Sequence, residues 1–221
     1  MEVPPLAAVA HELRTPLGGI LGCADLLAST ALDVEQRAHL DALREAAEAL
    51  AAFAEDALDL ARLGDPEAHA LVRTAPCDPR AVLAAVVRTL TPRASRRGLA
   101  LDVAVGEGVP ESVHADAGAL RRVLLNLGAN AVCATRQGGV RFTVAVGGAG
   151  ELICAVRDTG SGMTDVQQAR LFRAWSTGGA EDGVGLGLVL AAELASRMGG
   201  TLSVESSAAG CGSTFALRIP V

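Results

Sequence analysis

Leu6, Ala10, Leu13, Leu17, Ile20, Ala24 and Leu27 fall at alternating steps of four and three without a miss. That spacing is the a/d seam of a helical bundle. After "ASTALD", Asp33 and Gln36 have the spacing of a capping box that opens a second helix. This helix is expected to run to about Leu63, with Leu43, Ala46, Leu50, Phe53, Ala57 and Leu60 along it. Leu40, Ala47, Ala54 and Leu58 widen its apolar face well beyond a stripe. Two helices cannot cover so broad a face. The simplest solution is a hairpin that pairs with a second copy as a homodimeric four-helix bundle.

The stretch "GDPEAHALVRTAPCDP" breaks this pattern with glycine and prolines, and the period changes after it. Asp78-Pro79 reads as an N-cap followed by proline at the first helical position, opening a helix to about Leu90. Alternating strands follow at Leu99/Leu101/Val103/Val105, Val140/Phe142/Val144/Val146, Leu152/Cys154/Val156, Leu202/Val204 and Phe215/Leu217/Ile219. Helices are expected between them at about 116–134 and 185–198. The fold class is therefore an all-α hairpin over 1–66, a linker over 67–77, and an α+β sandwich over 78–221. Antiparallel hairpins are expected in that sandwich, with helices on one face.

Bulk properties narrow the partners. The net charge is -6, and the 19 basic residues, all arginine, form no run, which argues against nucleic acid or anionic lipid. No apolar run approaches a membrane span and no signal peptide is visible, so a cytoplasmic segment without direct membrane contact is expected. The five cysteines are scattered, which points to reduced thiols used mostly as small core residues.

Four motifs carry chemistry. In "AHELRTPLGGI" (10–20), His11 should face away from the bundle seam, Glu12 follows it, and Thr15 shares its face one turn on. Pro16 cannot donate to the Glu12 carbonyl, so the helix should bend and give a partner room to reach the imidazole. A carboxylate able to orient or take a ring proton suits a nucleophilic histidine. In "LLNLGANA" (124–131), Asn126 and Asn130 share a helix face and offer neutral oxygens to a hard cation such as Mg²⁺. In "VRDTGSGM" (156–163), Asp158 ends a strand where a carboxylate can accept from the amine of adenine, and Gly160 and Gly162 allow close backbone approach. "DGVGLGL" (182–188) runs Gly183, Gly185 and Gly187 into a helix whose N-terminal N–H groups suit phosphate. Each motif alone also has an ordinary reading, as a solvated helix face, a turn or a cap.

Their order and spacing are more specific than any one of them. "HELRTPL", "NLGANA", "DTGSG" and "GVGLGL" together resemble the sensor histidine kinases of two-component systems over nearly the whole chain. The resemblance implies a dimerisation and phosphoacceptor hairpin followed by a gyrase-like ATP-binding domain, with ATP and Mg²⁺ as cofactors. It makes His11 the phosphoacceptor, Glu12 its base, and Thr15 the residue that helps orient water when a response regulator is dephosphorylated. It makes Asn130 the Mg²⁺ ligand with Asn126 as companion, and Asp158 the adenine-binding aspartate. Gly160, Gly162, Gly183, Gly185 and Gly187 match the nucleotide-loop glycines, and Phe172 the aromatic at the start of the lid. The implied function is an ATP-dependent protein-histidine kinase that phosphorylates His11 and passes the group to an aspartate on a response-regulator receiver domain. Phosphatase activity toward the regulator stays open.

The chain departs from the family pattern in its cations. Cys133 stands where such kinases usually carry lysine, and the lid stretch "AWSTGGAED" (174–182) has no basic residue. Arg170 and Arg173 lie just before it, and Arg136 just after the asparagine helix. Phosphoryl transfer depends on neutralising the γ-phosphate, so weaker chemistry is expected rather than none. The competing reading is a catalytically weak or inactive phosphotransfer or docking protein that binds a receiver domain. A gyrase-like ATPase without histidine chemistry would leave "HELRTPL" unexplained. With only ten residues before His11, a sensor region is not expected within this chain.

Overall fold

The computed structural model describes residues 6–63, 74–148, 150–169, 171–172 and 186–221, the side chains of 6–11 and 60–63 excepted. The chain divides into two compact units, Met1–His69 and Ala70–Val221.

The first unit is an antiparallel pair of helices, α1 (Leu6–Ala28) and α2 (Val34–Leu63). The capping box forms: the Asp33 side chain accepts from the Gln36 N–H at 2.8 Å, and the Gln36 side chain accepts from the Asp33 N–H at 3.1 Å. Pro16 lies inside α1, which continues through it to Ala28. Leu17, Ala24, Leu40, Ala47, Ala54, Ala57 and Leu58 are buried within this single hairpin. Ile20, Leu27, Leu43 and Leu50 are not, and Leu43 and Leu50 remain 49% and 44% exposed. The seam therefore splits into a face the hairpin covers and a second, seven-residue-spaced apolar face on α2 that it leaves to solvent.

The second unit contains β1 (Ala75–Cys77), α3 (Pro79–Arg96), β2 (Ala100–Val105), β3 (Val113–Ala115), α4 (Ala117–Ala134), β4 (Gly139–Val146), β5 (Glu151–Asp158), α5 (Asp165–Gln168), α6 (Leu186–Arg197), β6 (Thr201–Ser207) and β7 (Ser213–Pro220). Five strands form one sheet in the order β2-β4-β5-β7-β6, and β1 and β3 pair separately. The alternation in β4 and β5 buries Val140, Phe142, Val144, Leu152, Cys154 and Val156 on one face. Helices α3, α4 and α6 pack there around a core that includes Leu83, Leu120, Leu124, Leu127 and Ala191. On α4, a Cβ at Gly128 would lie 2.5 Å from Leu90 Cδ1 and 2.7 Å from Phe142 Cζ, so the missing side chain lets α3 and β4 close over this helix.

Three expectations need correction. The β2–β4 pair is parallel, with α4 in the crossover between them, so the sheet is mixed rather than built of antiparallel hairpins alone. Helix α3 does not stop near Leu90 but runs through Pro92 to Arg96 and ends at the positive-φ Gly98. Pro92 can be tolerated because the carbonyl it leaves without a helical donor belongs to Arg88, which is exposed to water. Finally, only Cys154 is a buried core thiol, pushed up to about 12 by burial, whereas Cys23, Cys133 and Cys211 are exposed. No helix among the described residues is long and apolar enough to cross a membrane.

Candidate functional site

The alternation that buries Leu152, Cys154 and Val156 carries on to Asp158, so β5 delivers a carboxylate to the apolar side of the sheet. Asp158 is only 4% exposed. Its Oδ1 accepts from the Gly160 N–H at 2.8 Å and from the Ser213 N–H at 3.2 Å. Burial pushes its carboxyl above the ordinary range, and these backbone donors pull part of that back. Both donors reach the same oxygen. Neither of these bonds uses Oδ2, an acceptor that could take a hydrogen bond from a ligand N–H.

The loop after Asp158 is held against two other elements. Gly162 has φ +62°, and a Cβ on it would fall 1.9 Å from the Ala208 carbonyl oxygen. The Gly210 N–H donates to the Ser161 carbonyl at 2.6 Å, and the Ser161 N–H reaches the Ala134 carbonyl at the end of α4. Sequence reasoning missed this β6–β7 loop and Ser213 at the start of β7, because these bonds to the Asp158 loop come from their backbone. The glycines flanking Cys211 were its only signal.

Asn126 and Asn130 both lie on α4, whose N-cap Asp116 accepts from the Ala119 N–H. Asn126 Nδ2 donates to the Gly187 carbonyl at 2.9 Å. This bond ties the asparagine helix to the first turn of α6, so two motifs separated by some sixty residues meet in one place. Asn130 is exposed one turn further on, with an amide oxygen suited to a hard cation. Phe172 is 39% exposed and follows α5, which is opened by a Thr164–Gln167 capping box. Gly183, Gly185, Arg170 and Arg173 lie outside the described residues.

In the other unit His11 lies on α1, and its side chain is outside the described residues. Glu12 and Thr15, on the same helix, are exposed. The structure thus brings Asn126, Gly187 and α4 together, and Asp158, Gly160, Gly162 and Ser213 together.

Comparison with known proteins agrees with both units. Residues 6–66 match the family model of the His Kinase A (phospho-acceptor) domain, and residues 115–221 that of the histidine kinase-, DNA gyrase B- and HSP90-like ATPase. The chain is 34% identical over 217 residues to the sensor protein TorS of Escherichia coli, covering 98% of this chain and 24% of TorS. It is 36% identical over 223 residues to the sensor histidine kinase AruS of Pseudomonas aeruginosa, covering 97% of this chain and 22% of AruS. It thus spans about a quarter of the length of these curated relatives. Among solved structures, full-length ShkA in complex with AMPPNP matches with a TM-score of 0.74 and 39% identity, over 99% of this chain and 46% of that one. The histidine kinase AdeS of Acinetobacter baumannii shares the fold, with a TM-score of 0.60 at 23% identity, over 95% of this chain and 97% of that one. With a phosphoacceptor hairpin and a gyrase-like ATPase unit on one chain, the protein belongs to the sensor histidine kinases.

Proposed function

We propose that this chain is the catalytic part of an ATP-dependent protein-histidine kinase that phosphorylates His11 and hands the group to an aspartate on a response-regulator receiver domain. The observation that carries the reading is the pairing of "HELRTPL", on α1 within the matched phosphoacceptor domain, with Asp158, buried and pinned through one oxygen.

The chemistry follows from the side chains. The Asp158 carboxylate accepts the adenine amine, a position where guanine presents an acceptor that the carboxylate would repel. An imidazole nitrogen of His11 attacks the γ-phosphorus as the bond to the β–γ bridging oxygen breaks and ADP leaves. The proton on the opposite ring nitrogen passes to Glu12, so the product is a phosphoimidazole whose ring is neutral and whose phosphoryl group keeps its negative charge. General-base help of this kind is worth about 10²–10⁴ in rate. Asn130 would hold Mg²⁺, which when bound neutralises charge on the phosphates. Thr15, one turn beyond His11, would orient water if the same helix also dephosphorylates the regulator.

The exposed row of Ile20, Leu27, Leu43 and Leu50 supports a homodimer through the hairpin. Transfer can be tested with γ-labelled ATP, Mg²⁺ and a purified receiver domain. Label should appear on the wild-type kinase and move to the receiver, while Glu12→Gln should label slowly with unchanged ATP affinity. Tight ATP binding without label on either protein would favour the docking reading instead.

A further inference from the structure

Asn126, Asn130 and Cys133 stand at i, i+4 and i+7 on α4 and therefore share one face. Both Asn130 and Cys133 are exposed on it. From Asn126 to its C-terminal end that face offers amides and a thiol but no cation, the nearest on the helix being Arg122 one turn before Asn126, although a triphosphate bound with one divalent metal ion still carries net negative charge. A cation arrives from another helix. Arg93, in the last turn of α3, places Nη2 3.0 Å from Cys133 Sγ.

Several other described arginines have their charge or donors engaged elsewhere. Arg141 pairs with Asp102, Arg197 with Glu193, and Arg218 with Glu205. Arg97, one turn beyond Arg93, donates to the Val132 carbonyl. The partner of Arg93 is a sulfur rather than a carboxylate, so its charge is not cancelled. A planar guanidinium with several donors is suited to phosphate oxygens.

We propose that Arg93 is a phosphate-binding residue that supplies from α3 the positive charge missing at Cys133. The inference rests on the nucleotide site described above and explains how a chain without lysine neutralises the phosphate end of ATP. A purely structural role is the alternative, because an arginine beside the last turn of α4 also interacts favourably with that helix's carbonyl end.

Calorimetric titration of the whole chain with ATP and with AMP, in Mg²⁺, separates the two. Arg93→Gln keeps a long side chain that can still reach the sulfur, but removes the charge. It should weaken ATP about 10- to 150-fold, the range for a lost charge-assisted hydrogen bond, and leave AMP within about twofold. Adding Cys133→Lys to Arg93→Gln should restore most of the ATP affinity. Unchanged ATP affinity in Arg93→Gln would overturn the proposal, and so would equal weakening of ATP and AMP. Because the readout is binding, a wild type that takes no label on His11 would refute the kinase reading without altering this result.

Discussion

Replacing Asp158 by asparagine should separate stability from nucleotide choice. Oδ1 accepts from the Gly160 and Ser213 N–H groups, and an asparagine oxygen can keep both bonds. The amide nitrogen then takes the place of Oδ2 and presents a donor to the adenine amine, which is also a donor. Losing a hydrogen bond to a charged acceptor costs about 1.5–3 kcal/mol, so ATP should bind about 10- to 150-fold more weakly. GTP, with an acceptor at that position, should bind more tightly than it does to the wild type. Stability should move the other way. Burial raises the Asp158 carboxyl above its unfolded value, so the folded protein favours the protonated acid. The group's contribution is fully present below the unfolded pKa and is lost as pH rises through the folded pKa. Asp158→Asn should therefore gain on the wild type as pH rises through the folded pKa, which denaturant unfolding at several pH values would measure. Equal ATP affinity in the two proteins by calorimetry would remove Asp158 from the adenine site.

Leu43→Glu or Leu50→Glu, on the exposed face of α2, should turn a dimer into a monomer in sedimentation or light scattering. A wild type already monomeric at micromolar concentration would refute the bundle. Asn130→Ala should abolish the Mg²⁺-dependent part of ATP affinity while leaving the circular dichroism spectrum unchanged, since the residue is exposed on α4. An undiminished Mg²⁺ effect would place the metal elsewhere. Gly162→Ala forces a Cβ against the Ala208 carbonyl at φ +62° and should cost about 1–3 kcal/mol in unfolding experiments. Gly148→Ala, which meets nothing within 4 Å, should change little, and equal effects at the two positions would contradict the loop packing.

Local signals were the legible ones. The four-three seam, the Asp33–Gln36 capping box and the Asp78 cap each depend on residues a turn apart, so the sequence displays them directly. The alternation that ends in Asp158 placed the carboxylate correctly for the same reason. Relations between distant segments were not legible. The parallel β2–β4 pairing has the same period-two pattern as an antiparallel one, and the three-residue β1 and β3 are too short to show any period. Pro92 reads as a stop until the exposure of its surroundings is known. Asn126 meeting Gly187 and Arg93 meeting Cys133 join residues 61 and 40 positions apart, and only folding reveals such partners.

The central claim is that His11 receives the γ-phosphoryl group of ATP. The most direct measurement is to label the protein with γ-labelled ATP and Mg²⁺, test the label in acid and in base, and locate it by peptide mapping. A phosphoimidazole is lost in acid and survives base, and the label should map to the peptide containing "HELRTPL" and be absent from His11→Ala. Acid-stable label, or label that persists in His11→Ala at His39 or elsewhere, would contradict the account.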